Sequence, residues 1–347
     1  MAGVRVGVTA EPDPWLDEVA TRCARVAGDV QGALRLGREL GQDCALPGVD
    51  TAARWSCLAS LGACDLTVAR AVEPHLDALA ILAEAQAGEE TVPADAVLGV
   101  WAAEGPGTRV VARPLPSGGA PGRWALGGTK PWCSLADDVT HALVTAWIDE
   151  ERRGLFAVAL DQPGIQTADE PWVPHGLRRI RSTSVRFAEA EAVPVGGPGW
   201  YLERDGFAWG GIGVAAVWYG GAVGLVRRLT DAAAKREPDQ IGLAHLGATD
   251  AALYAAASAL SRAARLVDAG EARGDAGAVL ALRVRQVVAD SAERVLRSVD
   301  HALGPGPLVS EPEHVARVSD LRVYLRQHHA ERDAAALGRH LVHGGSR

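Results

Sequence analysis

Paired cysteines are missing from this 347-residue chain. Its five cysteines, Cys23, Cys44, Cys57, Cys64 and Cys133, are odd in number and none stands in a C-x-x-C spacing. Neither a disulfide framework nor a zinc site is indicated, no metal is expected, and a reducing cytoplasm fits best. An excess of positive charge is missing too. Lys and Arg number 35 against 43 Asp and Glu, a net charge of −8, which argues against a general nucleic-acid binder or an acidic-membrane binder. Phenylalanine is scarce, with three residues against ten tryptophans, an imbalance for which the sequence offers no physical reason. A signal peptide is not expected, because Glu11, Asp13 and Asp17 make the start of the chain acidic. Charge is absent from 207–226, a run that contains Gly220 and Gly224 in the G-x-x-x-G spacing. Its length approaches the ~20 residues that span a bilayer. Its Gly and Ala content nevertheless predicts a buried, closely packed helix and no membrane span.

The absences of proline draw the map. Eleven of nineteen prolines fall between Pro93 and Pro198, none between Pro238 and Pro305, and none after Pro312. Proline is excluded from helix interiors, so the long proline-free tracts of Ala, Leu, Arg and Glu read as helices. Residues 1–91 form an expected helical domain. In it 15–40 is helical, Asp65 caps a short helix, and Pro74 starts the next at its first turn. Residues 92–198 form an expected β domain, with short strands over 97–103, 108–112, 123–126, 142–148, 154–160 and 184–187. Residues 199–347 return to helix. Leu253, Ala257, Leu260 and Ala264 make one apolar stripe, and Val284, Val288, Ala292, Val295 and Val299 make another. Gly304-Pro305-Gly306-Pro307 ends that second helix, and a last helix is expected over 312–341.

What is present in the middle is the run Gly127-Gly128-Thr129-Lys130-Pro131-Trp132-Cys133-Ser134. If 131–135 is extended, Trp132 and Ser134 point to one face. A large flat aromatic and a hydroxyl on one face suit a flavin, the indole packing on the tricyclic ring and the hydroxyl reaching the hydride-accepting N5. The alternative is a core Trp beside a turn Ser.

This order of helices, β domain and helical bundle, together with the local motifs, resembles the acyl-CoA dehydrogenase superfamily over nearly the whole chain. The family's G-x-K-x-W-[IVC]-[ST] signature is similar to 128–134, and implies Trp132 against the flavin and Ser134 near N5. The family's T-E-P-x-x-G-S-D loop over flavin and substrate is matched by Ala103-Glu104-Gly105-Pro106-Gly107-Thr108-Arg109, where the flavin-facing Thr has become Ala103 and the Asp has become Arg109. The run His175-Gly176-Leu177-Arg178 to Pro194 also follows the family pattern. Arg236 stands where the family carries an Arg for the cofactor pyrophosphate, a role its forked donors suit, although the following F-G is missing. Leu303-Gly304-Pro305-Gly306 resembles the turn that approaches the adenine half of FAD from a neighbouring subunit. The resemblance implies an α+β multidomain fold: an N-terminal helical domain, a middle β-barrel or sandwich and a C-terminal four-helix bundle. The bundle is expected to form a homodimer or homotetramer interface, or a heteromer, with Gly211, Ala215, Gly220 and Gly224 suiting close packing there.

The family's reaction is α,β-desaturation of an acyl thioester on CoA or a carrier protein, with FAD as cofactor and an electron-transferring flavoprotein as acceptor. Its base is the Glu of R-D-x-x-x-x-x-x-Y-E-G, and alignment of 319–329 puts His328 there and His329 at the Gly. The alternative family position falls near Gly213, and the substrate-anchoring Arg near Val214, so both are lost. Three readings stay open. One is desaturation with His328 as base, Glu331 as a fallback carboxylate, and Glu104 and Thr108 near substrate. The second is a flavin monooxygenase of the same fold. The third is a non-catalytic subunit of a heteromeric dehydrogenase.

Overall fold

The computed structural model describes residues 2–7, 13–88, 90–115 and 122–343, so Glu11 lies outside the described residues. Four helices come first: α1 (Pro14–Arg25), α2 (Val30–Asp43), α3 (Thr51–Cys64) and α4 (Leu66–Glu84). The tract read as helical over 15–40 is two helices, divided at 26–29, with Asp29 at the N-cap of α2. Asp65 caps α4 as expected, its carboxylate accepting from Val68 N at 2.9 Å. Pro74 does not start a helix. It sits in the interior of α4, which runs through it because Leu66, Val68, Ala69, Val72, Leu76 and Ile81 bury a continuous apolar face on both sides of it. The cost falls on one backbone bond: without an N–H at 74, the carbonyl of Arg70 loses its helical donor.

Next to Pro74, His75 is buried and its Nδ1 accepts the Leu98 backbone N–H at 3.2 Å, which needs a neutral ring. Burial, with Arg38 nearby, lowers its pKa from 6.5 to about 4. The unfolded chain therefore binds a proton between those values that the folded one refuses. Stability should fall by about 3 kcal/mol as pH drops from 6.5 to 4 on account of this group. Urea denaturation at both pH values checks this, and His75→Asn, which keeps an acceptor but cannot titrate, should flatten the difference.

Seven strands follow among the described residues: β1 (Leu98–Trp101), β2 (Val110–Pro114), β3 (Trp124–Ser134), β4 (His141–Trp147), β5 (Arg153–Ala159), β6 (Ile165–Thr167) and β7 (Ser182–Val195). The pairings β4–β2, β2–β3, β3–β7, β7–β5 and β5–β4 form a closed ring, so the sheet is a barrel, in which β1 shares an edge of β4 with β2 and β6 shares an edge of β7 with β5. β4 and β5 are buried on both faces at their centres, which explains their unbroken apolar runs. β3 and β7 are longer than the strands expected there, and β6, only three residues long, lies in a stretch read as loop.

After the barrel come α5 (Trp200–Glu203), α6 (Asp205–Lys235), α7 (Gln240–Asp268), α8 (Gly274–Leu303), α9 (Gly306–Ser310), α10 (Pro312–Tyr324), a 3-10 turn (Leu325–Gln327) and α11 (Glu331–His343). The valine and alanine stripe of α8 is buried as read. The uncharged run lies in α6, a helix long and apolar enough to cross a membrane by composition, with 67% of its most apolar window buried inside the protein. Its Gly220 and Gly224 lie against Ala59 and Ala63 of α3, in the same chain rather than at a subunit boundary. A Cβ on Gly220 would overlap the Ala59 carbonyl oxygen. The helix expected over 312–341 is broken at 325–330. Arg285 of α8 donates to the Gln327 carbonyl at 2.8 Å, and Ala330 takes a left-handed φ of +46°.

Candidate functional site

A cleft of about 740 Å³ lies between the barrel and the helices. One wall is the end of β3. Lys130 pairs with Val185 and Cys133 with Thr183, so β3 carries one extra residue there, a bulge. Trp132 sits in it at φ +59° and is 62% exposed, while its neighbours Pro131 and Cys133 are buried. The segment is thus not the plain extended ribbon that the sequence implied. Trp132 and Ser134 nevertheless line the same cleft, because the bulge turns the indole outward on the side where Ser134 stands.

Ser134 is the centre of a hydrogen-bond chain. Arg70 Nη2 of α4 donates to its Oγ at 3.1 Å, and its Oγ lies 2.8 Å from Ser182 Oγ. Ser182 donates onward to the Ile180 carbonyl at 3.1 Å. A hydroxyl has one proton, so Ser134 donates either to Ser182 or to a ligand in the cleft. Arg70 Nη1 is buried and has no hydrogen-bond partner, its nearest carboxylate being Glu73 at 3.6 Å.

The floor of the cleft is α4. Arg70, Glu73 and Asp77 recur at helical spacing on one face and all line it, with Pro74 between them. Glu73 is only 12% exposed and Tyr324 donates to its Oε2 at 3.4 Å. Burial raises its carboxyl to about 7, with Arg70 pulling down and Asp77 pushing up. Burial raises Asp77 and Tyr324 as well. Trp101 and Trp172, with Tyr201 and Leu177, complete the walls. Sequence reading missed this floor. The available signal was the 70/73/77 polar spacing within an otherwise apolar helix.

The other expected site residues are dispersed. Ala103 lies at the cleft edge and offers no polar side chain. Glu104 also reaches the cleft, but its carboxylate is committed to the barrel: Lys130 Nζ at 2.7 Å, Trp147 Nε1 at 3.2 Å and Arg153 at 3.5 Å. Partial desolvation opposes ionisation of Glu104, and the Lys130 ammonium with the Trp147 bond outweighs it, so its pKa is lowered. Thr108 closes its own turn, donating to Gly105 O at 2.9 Å, and is absent from the cleft walls. Arg236 is exposed at the C-cap of α6, Gly304 is the C-cap of α8 and Gly306 starts α9; none of the three lines the cleft.

His328, expected as the base, is turned away. It is buried edge-on against Trp218 with ring centroids 6.2 Å apart, its Nε2 is 3.7 Å from Asp333, and the cleft wall at this corner is Gln327 and His329 instead. The cause is the break after α10, where Arg285, lying over the Trp218 ring at 4.8 Å, fixes the turn. Burial, then Arg285, lowers the His328 pKa, so the ring is neutral at pH 7. Glu331 is exposed at the start of α11 and outside the cleft walls. His328→Ala should therefore lower stability by about 1–3 kcal/mol, as loss of a packed ring does. It should leave ligand binding in the cleft within about twofold, measured by denaturant unfolding and by titration.

No protein-family profile matches the chain. A 62-residue stretch is 34% identical to YdbM of Bacillus subtilis strain 168, an acyl-CoA dehydrogenase by designation, and covers 18% of this chain and 16% of that protein. Solved structures match over nearly the full length. KijD3 with FMN and a dTDP-linked amino keto sugar has a TM-score of 0.79 at 19% identity, covering 100% of this chain and 98% of that one. Dibenzothiophene monooxygenase TdsC from Paenibacillus sp. A11-2 gives 0.75 at 18%, covering 93% and 95%. Butyryl-CoA dehydrogenase from Megasphaera elsdenii gives 0.76 at 16%, covering 94% of each chain.

Proposed function

We propose that this chain, which has the acyl-CoA dehydrogenase fold, is a flavin-dependent monooxygenase acting on a polar substrate rather than a desaturase of acyl thioesters. The floor of the cleft carries this reading. An acyl chain lowered into the cleft would set methylenes against Arg70, Glu73 and Asp77, stripping water from charged groups without replacing it. Desaturation also needs a base at the substrate α-carbon, and the imidazole at the family's position faces Trp218 instead. The FMN in the KijD3 and TdsC structures supports the same direction. The same two structures, both with FMN, favour FMN over FAD as the cofactor here.

The residues present suit a flavin. An indole exposed on a bulge, a hydroxyl two residues on, and a buried guanidinium nitrogen without a partner face one cavity. When bound, the flavin supplies two-electron transfer and, once reduced, reactivity toward dioxygen. Trp132 gives a planar platform and Ser134 a single donor at its edge. Arg70 places a fixed positive charge beside that donor. Trp101, Trp172, Leu177 and Ile180 exclude water from the space above.

Anaerobic reduction separates the readings. Protein loaded with FMN should stay yellow with butyryl-CoA, bleach with a chemical reductant, and consume oxygen once air is admitted. Bleaching by butyryl-CoA, or failure to take up any flavin, overturns the proposal.

A further inference from the structure

We propose that Glu73 is the proton acceptor of this cleft and that the substrate enters it as a cationic amine. This rests on the cleft reading above and adds the substrate class to it. Glu73 stands in the wall of the cavity, yet its protein partners hold it loosely: the Tyr324 hydroxyl at 3.4 Å and Arg70 at 3.6 Å, the latter beyond hydrogen-bond reach. The other charged groups facing it are committed elsewhere. Arg54 of α3 donates to the Ala45 and Leu76 carbonyls, Arg204 pairs with Glu84, and Arg285 donates to the Gly211 and Gln327 carbonyls. Asp77, one turn further along α4, has no hydrogen bond or ion pair among the described residues. The floor therefore offers carboxylate oxygens that the protein leaves only partly satisfied, one long hydrogen bond to Glu73 and none to Asp77.

The walls point the same way. Trp101 and Trp172 line the space, and ring faces attract an ammonium, whereas the rings of Tyr324 and Tyr201 already carry Arg70 and Arg204. The proton step balances simply. An N–H bond of the substrate ammonium breaks, the proton joins the Glu73 carboxylate to give a carboxylic acid, and the bonding pair stays on nitrogen as the lone pair that oxidation requires. Two opposite charges become two neutral groups, which suits a desolvated cavity. A carboxyl poised at about 7 exchanges that proton at neutral pH.

Calorimetric titration of the protein as purified with benzylamine, benzyl alcohol and benzoate tests the charge preference. At pH 8 benzylamine should bind at least about tenfold more tightly than the other two, and its affinity should fall about tenfold per unit below pH 7, as Glu73 protonates. Glu73→Gln should lose about tenfold for benzylamine and flatten the pH dependence, while Asp77→Asn weakens binding and leaves the inflection in place. Equal binding of the three probes, or benzylamine affinity independent of pH in the unmodified protein, overturns the proposal whether or not the variants fold. Colourless protein that still prefers benzylamine removes the monooxygenase reading and keeps this one. Oxygen-consuming yellow protein without that preference does the reverse.

Discussion

Gly220→Ala should destabilise the protein by about 3 kcal/mol or more, although alanine is the better helix former by about 1 kcal/mol. The added methyl would overlap the backbone oxygen of Ala59, and a backbone atom inside α3 cannot swing aside as a side-chain tip can. Relief requires α3 and α6 to separate, and α3 carries Trp55, Leu58 and Leu61 in the main core. Gly247 in α7 supplies the control: nothing lies within 4 Å of a Cβ there, so Gly247→Ala should stabilise by about 0.5–1 kcal/mol. Denaturant midpoints of the two variants should move in opposite directions. A Gly220→Ala protein as stable as the parent would mean that the two helices are not in contact as described.

Trp132 should show an equally large effect in the opposite sense for stability and binding. Trp132→Gly removes the planar platform and should weaken FMN binding by about 30-fold or more, from lost ring contact and buried area together. The same change relieves a left-handed backbone at φ +59°, which costs a non-glycine residue about 1 kcal/mol. The flavin-free variant should therefore be slightly more stable than the parent while binding cofactor poorly. Fluorescence titration with FMN and urea unfolding read the two quantities separately. Trp132→Phe should recover part of the affinity and none of the stability. An unchanged FMN affinity in Trp132→Gly would remove the indole from the site.

Much of this architecture was legible in the sequence. The proline-free tracts gave α7 and α8 in outline, and the apolar runs at 142–148 and 154–160 gave the two central barrel strands. The failures have physical causes. Pro74 reads locally as a helix start, but the buried face of α4 outweighs one lost backbone bond. The helix expected over 312–341 is intact in composition and broken in space by a guanidinium that arrives from α8, more than forty residues away in the chain. That break also turns His328, which the alignment puts at the family's base position, toward Trp218 and out of the cleft wall. Trp132 and Ser134 were found for a partly mistaken reason: both face the cleft, through a bulge rather than through plain alternation. Glu73 went unread because its position matters only once Tyr324, at the far end of the chain, is folded against it.

The closed ring of strands has an evolutionary consequence. β3 cannot slip in register without breaking its pairings with both β2 and β7, so the indole and serine that it presents are held fixed against mutational drift. The opposite side of the cavity is a single helix, where exchanging one side chain at 73 or 77 disturbs no strand pairing. New ligands can thus be sampled on the helix while the barrel side stays constant.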